Sequence, residues 1–247
     1  MMKALCRKAG KLLPLATLAL ASCGGSGSGG TAGSPGMGTS YEFISPVLNS
    51  TRTYSETIVD NFNNTIDISL SDTVMTVNSD GTYVVLFQPG TPSVIVNGTN
   101  YGGPPETQSY NTSGQETLDV YTSATVNTCN FDPHGSGPDF PLQVGMSWSL
   151  DYTYSCNGGA PVSYMQSGTV SDVESVTVPA GTFSAIRLQS TLTWTDAQGT
   201  TRTQTISNWR DVATSISVKQ EISIAYSGTL PTTGYAVSRE ILLESIS

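Results

Sequence analysis

Residues 214–227 read TSISVKQEISIAYS, and residues 183–196 read FSAIRLQSTLTWTD. In the first stretch Ile216, Val218, Ile222, Ile224 and Tyr226 fall on one side of a period-two pattern. In the second, Ile186, Leu188, Leu192 and Trp194 do the same. Side chains of a strand alternate between faces, so this pattern describes a strand with one buried face and one solvated face. Trp148, Leu150, Tyr152 and Tyr154 repeat it on a third segment. Working outward, residues 148–155, 162–178, 183–196, 200–210, 214–227 and 234–246 are expected to form a meander of long antiparallel strands. Such strands must curl or stack to hide their apolar faces. The expected architecture is therefore all-β, an antiparallel meander forming a sandwich or a curled half-barrel; a closed barrel is also compatible. The stretch TTRTQTI at 200–206 is polar on both faces, which predicts an edge or highly exposed strand.

Toward the N-terminus the β character persists. Ser, Thr, Val, Ile and Tyr dominate, and runs of strong helix formers are absent. Turn signals recur at Asn63-Asn64, Asn78–Gly81, Asn97-Gly98, Asn157–Gly159 and Gln198-Gly199. Residues 74–87 read as a hairpin turning at Asp80-Gly81, and residues 94–101 as a tighter one around Asn97-Gly98. Residues 41–247 are expected to form one β-rich domain, with a sub-boundary near 128–140.

Ahead of that domain lies a different kind of sequence. Lys3, Arg7, Lys8 and Lys11 precede an apolar run of about ten residues, Leu12–Ala21, too short to span a bilayer core of roughly 30 Å. This is the anatomy of a secretory signal peptide, residues 1–22. Its end, Leu20-Ala21-Ser22-Cys23, resembles the lipobox of bacterial lipoproteins. The resemblance implies cleavage before Cys23, which then carries lipid on its sulfur and its amine. Gly24 rather than Asp follows, a pattern that resembles sorting to the outer membrane. Residues 24–40 hold eight Gly in seventeen positions and read as a disordered, flexible tether.

The chain of 247 residues carries 10 Lys+Arg against 19 Asp+Glu, a net charge of −9. Four of the ten basic residues leave with the signal peptide, so the exported part has six against nineteen, formally −13. That balance excludes a nucleic-acid partner and makes lipid, not charge, the means of membrane attachment. The expected partners are the membrane, through the anchor, and an envelope protein, glycan or lipid; oligomeric state is left open.

Of the four Cys, Cys6 leaves with the signal peptide and Cys23 takes lipid. Cys129 and Cys156 remain as a pair in an oxidising compartment, so a disulfide is expected. His134 is the sole His, and no G-x-S-x-G elbow accompanies it. Asp132, His134 and Asp139 could gather a cation, although residues this close in a Gly/Pro-rich loop are more often solvated. Asp172, Glu174 and Asp211 carry no mark of a catalytic pair. The Asn-x-Ser/Thr matches at Asn49, Asn63, Asn97 and Asn111 read as turn and strand residues. Trp148, Tyr152, Tyr154 and Trp194 could form a ligand face, with sheet packing as the plainer reading. No cofactor is expected.

Phe140–Trp148, FPLQVGMSW, and Val176–Phe183, VTVPAGTF, resemble two motifs of a group of uncharacterised exported bacterial β-domains. The second motif is a strand end, a Pro-Ala-Gly turn in which Gly181 supplies an unusual φ, and a Phe that opens the next strand. The resemblance implies fold and export but no activity. The expectation is a lipid-anchored, non-enzymatic binding or structural module of the cell envelope. The alternative is a periplasmic half-barrel that carries a hydrophobic ligand or a lipoprotein.

Overall fold

The computed structural model describes residues 38–247 apart from 90–93, 98 and 136. The signal peptide, Cys23 and nearly all of the tether lie outside the described residues. The strands are β1 (Ser40–Tyr41), β2 (Thr51–Asp60), β3 (Thr65–Val77), β4 (Tyr83–Pro89), β5 (Ile95–Val96), β6 (Thr99–Asn100), β7 (Glu106–Tyr110), β8 (Glu116–Thr122), β9 (Val126–Asp132), β10 (Leu142–Gln143), β11 (Ser147–Cys156), β12 (Val162–Val178), β13 (Gly181–Thr195), β14 (Thr200–Asp211), β15 (Ser217–Gly228) and β16 (Ala236–Ile246). No helix occurs among the described residues.

Twelve of these strands close into a barrel, running β2-β3-β4-β7-β8-β9-β11-β12-β13-β14-β15-β16 and returning to β2. Every pair is antiparallel, so the whole barrel is one up-and-down meander. The expected curl goes further than a sandwich or half-barrel: β16 reaches β2 and pairs with it from Ala236↔Asp60 to Ile246↔Arg52. Closure leaves neither terminal strand with an open edge.

The inner face follows from burial. On β2 every second residue is buried, and these are Arg52, Tyr54, Glu56, Ile58 and Asp60. Register carries that face around the barrel, for example Glu56↔Ile68 on β3 and Val85↔Gln108 between β4 and β7. The outer face of the C-terminal strands carries hydroxyls, with Ser167, Thr191, Thr205 and Ser223 side by side across β12 to β15. A lipid-facing barrel wall needs the opposite, a continuous apolar band. The expectation of an edge strand at 200–206 is corrected here. Strand β14 is paired on both sides along its length. Its polarity has another cause: Thr203 and Thr205 face water, whereas Arg202 and Gln204 face a polar interior.

The hairpin turns form where the sequence allows a left-handed backbone. Asn63, Gly81, Asn97 and Gly199 all have positive φ. Gly181, in the second motif, has φ 139°, and the hairpin tip it forms folds back until the Ala180 amide donates to the Leu243 carbonyl at 3.1 Å.

The two ends of the barrel differ. At the end nearest the tether, β1 pairs with β10, and Phe43, Phe140 and Leu142 pack into the opening. Phe43 lies 5.3 Å from Phe140 and 6.2 Å from Tyr83, centroid to centroid. This end is the floor. At the far end, the mouth, the β5–β6 hairpin covers one side only. Its Tyr101 is buried among Ile58, Ile66 and Ala236, and Thr99 donates to the Gly234 carbonyl.

Candidate ligand-binding bore

Inward-facing aromatic side chains line the upper bore as a continuous arc. Phe131 contacts Tyr154 at 4.8 Å, Tyr152 stacks on Tyr164 at 5.0 Å, and Tyr164 stacks on Trp194 at 5.3 Å. The Arg202 guanidinium then sits between Trp194 (5.6 Å) and Tyr226 (5.8 Å), and Tyr226 meets Tyr235 at 4.4 Å. The arc therefore runs from β9 through β15 into the following loop. Period two places each of these residues inward, and antiparallel register brings them to the same height: Tyr152↔Tyr164, Tyr164↔Trp194, Trp194↔Arg202 and Arg202↔Tyr226 are cross-strand partners. Arg202 is held there by Asp196 at 3.2 Å.

The wall formed by β7 and β8 is acidic. Glu106 is paired with Tyr121, Asp119 with Gln108, and Glu116 with Tyr110. The three carboxyls thus descend from mouth to floor. Glu106 accepts from the Gln108 amide at 2.7 Å, and Asp119 accepts from the Tyr154 hydroxyl at 3.2 Å. Glu116 is buried, and its Oε1 has no hydrogen-bond partner. Burial, with Glu106 and Asp119 adding like charge, raises its pKa well above the usual carboxylate range. Burial likewise pushes the Tyr164 hydroxyl up to about 12 and raises Tyr152, so both phenols stay neutral.

Below and beside this region the bore is closed by buried ion pairs. Arg52 pairs with Asp72, and Arg239 with Glu56. Desolvation still raises Asp72 to about 6 against the pull of Arg52. Arg210, buried near the floor, lies 5.8 Å from the Phe140 ring, and burial lowers it to about 10. On the outside, Arg187 and Lys219 flank the Trp209 ring at 4.9 and 5.2 Å, and Lys219 bonds Glu221 at 2.8 Å. None of the six basic residues beyond residue 22 is exposed, whereas nine acids are: Glu42, Asp67, Asp80, Asp132, Asp139, Asp151, Asp172, Glu174 and Glu221. The charge on the outer surface is therefore carboxylate charge.

The bore is not sealed throughout. Glu106, Tyr121, Tyr154, Arg202, Ile206, Ile224 and Tyr226 face inward yet remain partly exposed, and most lie toward the mouth. Inward residues nearer the floor, such as Val74, Val85 and Leu243, are fully buried. Solvent thus reaches the upper bore and stops above the floor. A separate depression of about 250 Å³ on the outer face is lined by Ser149, Asp151, Met165 and Thr193, all outward residues of β11 to β13.

The residues singled out by sequence fall in three places. Tyr152, Tyr154 and Trp194 join the aromatic arc. Trp148 lies lower, with its ring against Gly168, where an added Cβ would come within 2.8 Å of it. Asp132, His134 and Asp139 do not converge. His134 Nε2 is 3.9 Å from Asp139, Asp139 accepts from Gln115 at 2.6 Å, and no cluster of metal-ligating side chains occurs among the described residues. Cys129 and Cys156 form a disulfide between β9 and β11, inside the bore next to Asp119. Glu106, Glu116, Asp119, Tyr164 and Arg202 were not anticipated. No period-two signal marks the acids: in ETLDVYT, residues 116–122, a register shift opposite Ser109 and Tyr110 brings Glu116 onto the face of Asp119 and Tyr121.

No known protein family matches the chain, and no curated protein does. Solved structures do resemble it. An exported protein with a YmcC-like fold from Bacteroides fragilis aligns with TM-score 0.50 at 12% identity, over 85% of this chain and all of that one. A lipoprotein from Parabacteroides distasonis aligns with TM-score 0.45 at 14% identity, over 84% and 99%. The lipoprotein YmcC from Escherichia coli aligns with TM-score 0.40 at 11% identity, over 79% and 87%. At such identity the likeness speaks for the fold alone: this chain has a YmcC-like barrel.

Proposed function

We propose that this protein is an exported, lipid-anchored module of the bacterial cell envelope that binds a small polar ligand in its upper bore and catalyses no reaction. The basic, apolar and Leu-Ala-Ser-Cys segments of residues 1–23 support export and anchoring at Cys23, and the pattern after Cys23 favours the outer membrane. The Bacteroides fragilis protein of similar fold is itself described as exported. The observation that carries the binding reading is the set of inward aromatic and charged side chains that stay partly exposed in an otherwise closed barrel. Ligand sites combine apolar surface with a few placed polar groups, and the arc and the carboxyl wall supply both. A hydrophobic cargo fits less well, because it would strip water from the partly exposed Glu106 and Arg202 without replacing it.

Two measurements test this reading. Labelled fatty acid should be incorporated into the wild-type chain and not into Cys23→Ser; incorporation into that variant would refute the anchor. Native mass spectrometry of the folded domain purified from envelopes should reveal a retained small molecule. Mass equal to the bare chain, together with no ligand-induced stabilisation by envelope extract, would refute the binding site.

A further inference from the structure

Nine large apolar side chains are exposed among the described residues, and eight of them lie at the two ends of the barrel. Val47, Leu48, Met75 and Ile246 are at the floor, 42 to 50% exposed. Backbone hydrogen bonds join the segments that carry them into one rim. The Asn49 amide donates to the Val74 carbonyl at 2.9 Å, and the Val74 amide to the Ser50 carbonyl at 3.0 Å. The Thr51 amide donates to the Ser247 carbonyl at 2.8 Å, and the Ser247 amide to the Thr51 carbonyl at 2.9 Å. Phe62, Ile95, Val126 and Leu230 lie at the mouth, and Met165 on the outer wall. Apolar residues gathered in this way mark a contact surface, whereas singly scattered ones do not.

The length of chain ahead of the barrel decides what the floor meets. Strand β1 pairs with β10 at the floor, and Cys23 lies fifteen residues ahead of Gly38. Ten of the fourteen residues between them are Gly or Ser, and a Gly/Ser-rich chain of that length averages roughly 20 Å end to end. The thirteen residues of β3 run about 43 Å between mouth and floor. A lipid on Cys23 therefore holds the floor toward the bilayer and leaves the mouth beyond the average reach of that chain. We propose that the floor rim is a membrane-docking surface: Val47, Leu48, Met75 and Ile246 enter the interface of the bilayer that holds Cys23, and the mouth faces away from it. This rests on the reading of Cys23 as the lipid anchor and adds an orientation to it. Glu42 and Asp80 are exposed at the same end, and no Lys or Arg is exposed among the described residues. Apolar area, not charge, thus makes the contact. Anchoring makes it intramolecular, so a small area suffices.

The test is site-directed spin labelling of the lipidated chain, purified from envelopes and reconstituted in phosphatidylcholine vesicles. Leu48→Cys, Met75→Cys, Phe62→Cys and Leu230→Cys are labelled one at a time; Cys23 carries lipid and Cys129 and Cys156 are bridged, so the label goes to the added thiol. The ratio of accessibility to oxygen over accessibility to a nickel chelate should be roughly threefold higher or more at Leu48→Cys and Met75→Cys than at Phe62→Cys and Leu230→Cys, because oxygen concentrates where apolar side chains enter lipid. Leu48→Asp/Met75→Asp should bring the ratio at Ile246→Cys down to that at Phe62→Cys, with the melting temperature establishing that the variant is folded. Equal ratios at floor and mouth, a higher ratio at the mouth, or an Ile246→Cys ratio unmoved by the two aspartates would overturn the docking surface while leaving the anchor intact, provided that the protein floats with the vesicles. A chain that does not float with them would overturn the anchor and the docking surface together.

Discussion

The N-terminal six strands of the barrel and the C-terminal six both turn an alternating inner face toward the bore, with different residues. Strands β11 to β16 turn Tyr152, Tyr164, Leu192, Trp194, Ile222 and Ile241 inward, with the amides Gln166, Gln204 and Gln220 and the cations Arg210 and Arg239 among them. Strands β2 to β9 turn Arg52, Glu56, Asp72, Gln108, Glu116 and Asp119 inward among their Tyr and Ile. Period two is present in both halves. Only the identity of the inward residue changes, and with it the visibility of the pattern.

That difference sets the order of what mutation should do. Truncating one partner of a buried ion pair leaves the other charge without compensation, which costs about 3–5 kcal/mol. Arg52→Met should therefore be the most damaging substitution proposed, read as a fall in the urea midpoint. Arg52→Met/Asp72→Leu should recover most of the loss, and failure to recover would mean that the pair is not isolated in the interior.

The junction of the two halves comes next. Strands β9 and β11 share four residue pairs, Asp132↔Thr153 to Cys129↔Cys156, whereas β12 and β13 pair from Tyr164↔Trp194 to Val178↔Gly181. The disulfide secures this short contact. Closing a loop of about 28 residues stabilises by roughly 3–4 kcal/mol on the chain-entropy account. Cys129→Ser/Cys156→Ser should lose that amount, with faster hydrogen exchange at residues 129–132 and 153–156. Unchanged exchange there would place the weak point elsewhere.

Smaller, and opposite in sign, is the effect of the acidic wall. The folded-state pKa of Glu116 is raised above its unfolded value, and that of Asp72 is raised to about 6. The native state therefore binds more protons than the unfolded one above the unfolded pKa. Their contribution is fully present below about pH 4 and is lost as pH rises through the folded pKa, at up to about 1.4 kcal/mol per pH unit per group. Melting temperature should rise as pH falls from 8 to about 5. Glu116→Gln should be more stable than wild type at pH 8 and flatten that slope. A wild-type melting temperature that falls over the same range would contradict the burial of these acids. Least affected should be the outer hydroxyls: Thr203→Ala, facing water, should stay within about 0.5 kcal/mol of wild type.

The same comparison explains what was legible in the sequence. Strands β11 to β16 could be bounded closely because Trp194 or Ile224 announces a buried face. Strand β2 could not, since Arg52, Glu56 and Asp60 look solvated until β16 and β3 are seen to cover them. Strand β14 was misplaced at an edge for the same physical reason: Arg202 and Gln204 face a bore polar enough to receive them. Barrel closure was not legible either, because it depends on accumulated twist and on β16 meeting β2, neither of which is a local property. Of the candidate site, the Tyr152, Tyr154 and Trp194 side could be read from alternation. Its acidic side, Glu106, Asp119 and Glu116, could not, because single acids in a chain with nineteen carry no mark of sharing a wall.

The central claim is that the N-terminal strands turn their charged row into a bore that is open at the mouth and closed below. Maleimide labelling of single added cysteines tests it most directly in the disulfide-bonded protein. Asp67→Cys, on the outer face, should react fast; Glu106→Cys, at the mouth, should react measurably but more slowly; Val85→Cys, 0% exposed in the parent residue and nearer the floor, should stay unlabelled until the protein unfolds. Equal labelling of Val85→Cys and Asp67→Cys in the native state would show that this face meets solvent, and the barrel interior described above would be wrong.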